Sequence, residues 1–326
     1  MILPYLARLV CLCLAAFFLL HAALGLAVSL LTPWAVRAAG RMAPIHGARL
    51  LLGLRLFPPA LAIFVVAGLC TPSYLYLEPR GAPEEIGVAC MVAALAGIAA
   101  WAFSVARASR ALVRSARHIG QCRERSREIR LAGERNTIWV IESSAPCAML
   151  TGVFRPRIVV SSAVLAALPA EQVSAVIRHE RAHGVYRDNL SRLLLLLAPR
   201  LLPPAGGFRK LEQAWARLSE WAADDRAVAG STRRSLSLAA ALVRVARLGA
   251  AAPAPALVTS LMADGADLSE RVGRLLGPAH RATPRRDREP ILIASASLLL
   301  TGALIAMVAH PVTLHSAHEC LEFLIR

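Results

Sequence analysis

Residues 179–183 read His179-Glu180-Arg181-Ala182-His183, and the reading of this stretch decides how the rest of the chain is assembled. On a helix, two histidines four apart stack one turn above the other, so both imidazoles reach a single point. Glu180 lies beside them. With 9 histidines in 326 residues, the pattern arises by accident roughly 0.01 times per chain. Upstream, Pro169-Ala170-Glu171 supplies the proline and the acid that favour a helix start, and Val173, Val176 and Ile177 form an apolar stripe. The plain alternative is a surface helix that happens to carry two histidines, and it explains none of that company.

A metal ion that does chemistry takes three protein ligands and keeps one position open. Ser219-Glu220-Trp221-Ala222-Ala223-Asp224-Asp225 offers the third. It lies in a helical pattern from Leu211 to Ala229 with no internal Gly or Pro, closed by Gly230. Glu220 is the expected ligand; its alternative is an ordinary solvent-facing carboxylate. Asp224, one turn on, suits the free ring N–H of a ligating histidine, although Asp225 competes for that role. The expected cofactor is one Zn²⁺ held by His179, His183 and Glu220, with Glu180 as the general base acting on water. A donor for the developing oxyanion is also wanted. Tyr186 and Arg226 are candidates by proximity, and the sequence does not choose between them. The competing class is a receptor or scaffold with a structural or vestigial site. Structural zinc, however, is normally closed by Cys and His, and Cys122 and Cys147 lack C-x-x-C spacing.

Composition says where this happens. The chain is 56% hydrophobic with a mean hydropathy of +0.53, too apolar for an ordinary soluble domain. Leu9–Val36, Phe57–Leu77, Ile86–Ala106 and Ile291–Ala309 are runs of about 20 residues or more, enough to cross a bilayer as helices. The first is too long for a signal peptide and reads as a retained anchor. Pro58 and Pro59 are expected at the start of the second span. Ala89, Ala93 and Gly97 make a small-residue stripe on the third, suited to close helix contact. His21, mid-span, reads as a packing histidine. Cys11 and Cys13 read as core residues, and Cys70 and Cys90 as membrane thiols unless their ends meet.

Charge orients the spans. The first loop carries Arg37, Arg41, Arg49 and Arg55 and no acid, whereas Glu78 to Glu85 holds one Arg against three Glu. Arg107, Arg110, Arg114 and Arg117 follow the third span, and Arg281, Arg285, Arg286 and Arg288 precede the fourth. The positive-inside rule then puts the first loop and residues 107–289 in the cytoplasm, with the N-terminus and the tail outside. The net charge of +16 is almost all Arg and sits next to spans, which suits anionic headgroups. No zinc-finger, helix-turn-helix or RNP-like pattern accompanies it, so direct nucleic-acid binding is not expected.

The expected organisation is a mainly α integral membrane protein of three parts. Residues 1–106 hold three membrane helices (about 9–34, 57–77 and 86–106). Residues 107–289 form a cytoplasmic α+β metal domain inserted between helices three and four. Residues 290–326 hold the fourth helix (about 291–309) and a short external tail. Inside the domain, Asn136–Ile141 reads as a strand, and Met149–Phe154 and Arg157–Val160 as extended pieces around Pro156. Gly152, Val153 and Phe154 are a candidate edge on which an extended polypeptide adds as one more strand, against the alternative of a plain sheet border. Leu193–Leu197 is too short to span and reads as core beneath the site or as an interfacial segment. Residues 250–255 read as an Ala/Pro linker and 278–289 as a basic lead-in. His310, His315, His318 and Cys320 in the tail read as polar tail residues rather than a metal site.

These motifs resemble the BlaR/MecR-type integral-membrane zinc metallopeptidases. The matching residues are Ala145-Pro146 with Gly152-Val153-Phe154-Arg155-Pro156-Arg157-Ile158, then His179–His183 with Arg187-Asp188-Asn189, then Glu220 with Ala223-Asp224. Leu268-Ser269-Glu270-Arg271 with Leu275-Leu276 is similar to that family's last cytoplasmic helix. The resemblance implies a gluzincin domain in a multi-pass bacterial plasma-membrane protein that cuts itself, a transcriptional repressor, or both. Sensor members carry a penicillin-binding domain after the fourth span. Here the sequence ends at Arg326 and has no S-x-x-K pattern, so acylation by a β-lactam is not expected. HtpX-like quality-control proteases, which share H-E-x-x-H and a later E-x-x-A-D, are the alternative.

Overall fold

The computed structural model describes residues 4–79, 86–130, 137–200, 206–249, 256–260, 268–277 and 310–325. The expected fourth span, 291–309, lies outside them, as do the linker at 250–255 and the basic lead-in at 278–289. Among the described residues, three helical segments are long and apolar enough to cross a membrane: Tyr5–Gly40, Pro44–Leu77 and Val88–Glu124. The first is α1. The second comprises α2 (Pro44–Val65), a π-helical stretch at Val66–Cys70 and α3 (Thr71–Leu77); the third is α4.

These helices overrun the apolar stretches that announced them. α2 starts at Pro44, so Pro58 and Pro59 lie inside it rather than at its start, and Arg49 and Arg55 are helical rather than loop residues. α4 runs unbroken from Val88 through the whole arginine stripe to Glu124. Apolar runs mark what is dry, whereas a helix continues wherever its backbone bonds and packing allow. Ala93 and Gly97 of the small-residue stripe are buried, but Ala89 is exposed.

The remaining elements form a compact α+β unit at the Gly40 end of α1. They are β1 (Ser126–Ile129), β2 (Ile138–Ile141), β3 (Ala148–Thr151), β4 (Arg157–Ser161), α5 (Ser162–Ala167), α6 (Ala170–Tyr186), α7 (Asp188–Leu197), α8 (Gly206–Val228), α9 (Thr232–Arg247), β5 (Thr259–Ser260) and α10 (Leu268–Leu276). The sheet order is β1-β2-β4-β3-β5, with β2 and β4 parallel and the other pairs antiparallel. Alternation sorts its residues by face. Ile138, Val140, Ala148 and Val160 join Val173, Val176 and Ile177 of α6 and Leu238 and Leu242 of α9. Trp139, Met149 and Val159 face the other way, onto Cys122 of α4.

Two joints tie this unit to the apolar helices. α8 starts against α1: a Cβ on Gly207 would stand 2.8 Å from Ser29 Cα, so no larger residue fits that crossing. The leucine-rich α7 packs between α2 and α4, and its last carbonyls, which no helix can satisfy internally, are claimed from outside. Arg107 Nη2 donates to Leu196 O (2.7 Å), Arg55 Nη2 donates to Ala198 O (3.1 Å), and His21 Nε2 stands 3.2 Å from Pro199 O. Arg55 Nε also donates to Glu212 Oε1 at 2.9 Å, and Arg55 is fully buried. The expectation that these two arginines face headgroups is therefore corrected, because unmatched carbonyls and Glu212 draw them inward. Arg110, Arg114 and Arg117 remain exposed.

At the other end, α11 (Pro311–Ile325) rests on α3. Ser73 Oγ donates to Leu314 O at 2.8 Å, and His318 Nε2 lies 3.8 Å from Glu78 Oε2. The tail histidine thus joins a polar cluster beside the second loop.

Candidate metal centre

α6 buries His179, Glu180 and His183 completely. The imidazole planes stand nearly perpendicular, and their Nε2 atoms face one another at 3.1 Å. That contact needs a third party, since two lone pairs repel, each ring's other nitrogen faces a carboxylate, and Arg271 Nη2 comes no nearer to His179 Nε2 than 3.5 Å. His179 Nδ1 lies 2.9 Å from Asp224 Oδ1, and His183 Nδ1 lies 2.6 Å from Asp188 Oδ2. A carboxylate on each Nδ1 holds the proton there and turns the Nε2 lone pair inward.

α8 brings Glu220 to the same point, with Oε2 3.5 Å from His179 Nε2 and Oε1 3.6 Å from His183 Nε2. Ligand atoms of all three lie within 4.8 Å of one another. A tetrahedral ion with bonds of about 2.0–2.1 Å separates its donors by roughly 3.4 Å, so the set fits one zinc-sized ion with a position to spare. Burial works against the ionised Glu220, but His183, Arg271 and His179 outweigh it and hold its pKa down to about 2.

Glu180 is held differently. Neither carboxylate oxygen has a side-chain hydrogen-bond partner, both are buried, and only the Leu150 backbone leans on them. Burial, reinforced by Glu220, pushes its pKa up to about 8, against the pull of His183, Arg271 and the Leu150 backbone. A buried acid with no side-chain donor and a raised pKa is poised to take up a proton.

Arg271 of α10 completes the array, and only the resemblance of its helix singled it out. It is buried, its Nε and Nη2 donate to Asp224 at 2.9 and 2.7 Å, and its Nη1 lies 3.1 Å from Glu220 Oε2. The available signal was periodicity: Leu268 and Leu275 put position 271 on the inward face of α10, where a charge needs a partner. Asp188 likewise has no role legible from its place in the sequence. Arg187, between α6 and α7, is left-handed (φ 57°), and this turn starts α7 with Asp188 aimed back at His183.

The other singled-out residues fall elsewhere. Asp225 pairs with Arg274 at 2.8 Å, which leaves Asp224 as the inward acid. Arg226 lies over the Tyr186 ring, 5.5 Å from its centroid, and no described contact brings either to the three donors. β3 ends at Thr151, before the proposed edge. Gly152 (φ 93°) opens a turn because no other residue relieves that backbone so cheaply, Val153 is half-buried, and Phe154 is 79% exposed. Asn189 Nδ2 pins the turn through Leu150 O (3.1 Å) and Gly152 O (2.9 Å). The open side of β3 carries Thr259 and Ser260, opposite Leu150 and Met149. The extended reading of 152–154 is thus corrected: a pinned turn there aims the chain back into β4.

A cleft of about 1090 Å³ leads from Glu220 and Arg271 to Ser29 and Thr32 of α1. Arg192 and Arg217 line it, lying over the Trp215 and Trp221 rings at 5.9 and 5.5 Å.

Peptidase family M48 matches residues 114–204, a stretch that includes the His179–His183 motif and ends before Glu220 and Arg271. No curated protein and no solved structure matches the chain. The family match, over a buried His-His-Glu cluster and beneath three membrane-length apolar helices, supports a membrane-associated metallopeptidase.

Proposed function

We propose that the chain is a zinc endopeptidase of the bacterial plasma membrane, with its catalytic unit in the cytoplasm, that cleaves itself or a repressor-like protein. The observation that carries the chemistry is the pairing of two inward Nε2 atoms and Glu220 with an orphaned Glu180. His179, His183 and Glu220 would hold the ion. When bound, zinc supplies Lewis acidity and brings the pKa of a water towards neutrality. Glu180 accepts the proton of the attacking water on a carboxylate oxygen and returns it to the leaving amine. Asp224 and Asp188 keep both imidazoles in the ligating tautomer. Arg271 holds Asp224 and Glu220 in place. The cleft beside Glu220 admits an extended polypeptide from the membrane-facing side.

The topology has its own support. α10 ends at the catalytic unit, whereas α11 rests on α3 with His318 beside Glu78, at the opposite end of the apolar helices. That separation supports a fourth crossing at 291–309, and the arginines at 107–117 and 281–288 support a cytoplasmic catalytic unit. An HtpX-like quality-control protease is the second reading, favoured by the match to a peptidase family rather than to a sensor.

The test is zinc content measured beside a proteome-wide comparison of cleavage products in cells carrying wild type or Glu180→Gln. The variant keeps its zinc and loses roughly 10²–10⁴-fold in rate. A shared set of products in both strains, or purified wild type without zinc, overturns the proposal. Products confined to one repressor-like protein and the chain itself favour the signalling reading, whereas many misfolded membrane proteins favour the second.

A further inference from the structure

A second set of donors converges on the far face of the sheet. His118 and Cys122 lie one turn apart on α4, and Met149 projects from β3 towards them. His118 Nε2 stands 3.4 Å from Met149 Sδ and 3.6 Å from Cys122 Sγ. Cys122 and Met149 are buried, within a shell of Trp139, Val159 and Val258.

One ring nitrogen facing two sulfurs is under-supplied with protons. If Nε2 carries a hydrogen it can donate towards Met149, and the Cys122 thiol has lost its acceptor. If Nε2 is bare it accepts from Cys122, and its lone pair faces the thioether. One electrophile shared by all three removes the conflict. We propose that His118, Cys122 and Met149 form a binding site for a thiophilic monovalent metal ion, copper(I) in class.

Three properties select that class. Thiolate and thioether are soft ligands, and a thioether suits Cu(I) better than Zn²⁺. Bonds of zinc-like length, about 2.0 Å to nitrogen and 2.3 Å to sulfur, place N and S roughly 3.5–3.7 Å apart around one ion, close to the two separations seen. Charge agrees as well. The ion displaces the thiol proton to solvent, so a monovalent cation and one thiolate leave the apolar pocket neutral, whereas a divalent ion leaves a net charge there. The site owes nothing to the peptidase reading, although Met149 adjoins Leu150, whose carbonyl Asn189 holds and whose backbone borders Glu180. Occupancy would tie that strand to α4.

The test uses full-length, zinc-loaded protein, reduced and in detergent, titrated with Cu(I) against bathocuproine disulfonate. Met149→Leu conserves volume and preserves the fold. It weakens the tightest Cu(I) equivalent by at least about tenfold, as does His118→Ala, and Cys122→Ser abolishes that equivalent. X-ray absorption of the wild-type complex shows one nitrogen and two sulfur ligands. Equal Cu(I) binding by wild type and Met149→Leu, or a purely sulfur coordination shell, overturns the proposal. Zinc content stays constant throughout; loss of zinc on adding Cu(I), with no difference between wild type and variants, overturns it too.

Discussion

Two buried arrays of charge sit at opposite ends of α8, and they are built on opposite rules. At the first, Arg55 is fully buried, but its Nε meets Glu212, its Nη2 meets the Ala198 and Pro199 carbonyls, and its guanidinium lies 4.3 Å from the Phe208 centroid. Arg200 closes on the other Glu212 oxygen. Most donors meet acceptors there, with only Arg55 Nη1 left over, and the result is a joint. At the second, His179 and His183 face each other with lone pairs, Glu220 adds another acceptor that Arg271 alone offsets, and Glu180 has no side-chain donor. A polar group left unmatched in a dry interior costs free energy, and it persists where a ligand or a reaction supplies the missing partner.

The sharpest way to break this contrast is His183→Ala. The variant folds, carries no zinc by elemental analysis, and shows no cleavage above background. Zinc at wild-type occupancy would mean that the inward nitrogens are not ligands. Next in size is Arg55→Met, which strips one partner from a buried pair and takes one of two donors from each of the Ala198 and Pro199 carbonyls. Chemical or thermal unfolding in detergent should show a loss of about 3–5 kcal/mol, with zinc per folded molecule unchanged. If stability holds while zinc falls, the joint belongs to the site. Asp188→Asn is milder. It keeps the shape but weakens the grip on the His183 tautomer, and a chelator competition should read about 10–100-fold weaker zinc binding. Smallest is Arg187→Gly. The left-handed backbone at φ 57° strains an L-residue by about 1 kcal/mol, so glycine raises stability by up to about that amount and leaves zinc affinity unchanged. A large loss would show that the Arg187 side chain, rather than its backbone, orients Asp188.

The same contrast explains what could be read beforehand. His179 and His183 are related by one helical turn, and that relation survives in any fold that keeps the helix. Glu220 was legible because its own helix was well delimited, and Asp224 because it sits one turn beyond. Arg271 and Asp188 carry no role in the sequence alone, since neither charge nor spacing says which partner a residue meets across the fold. Arg55 and Arg107 misled, because positive residues next to apolar runs read as headgroup contacts when their mates, the end of α7 and Glu212, lie far along the chain. The span boundaries misled for a related reason: hydropathy reports dryness, and α2 and α4 continue well beyond it.

What the sequence by itself determined is therefore local: the helix with its two imidazoles, the acid beside them, the long apolar helices and the acidic pair at Glu220 and Asp224. Backbone periodicity sets each of these within a few turns. Tertiary structure alone decided that Asp224 rather than Asp225 turns inward, that Arg271 closes the array, that α7 is capped by arginines from two apolar helices, and that Met149 meets His118 and Cys122. Each depends on side chains from separate elements converging in a dry interior, where a charge or lone pair is tolerated only opposite its complement, and no spacing along the chain records such a meeting.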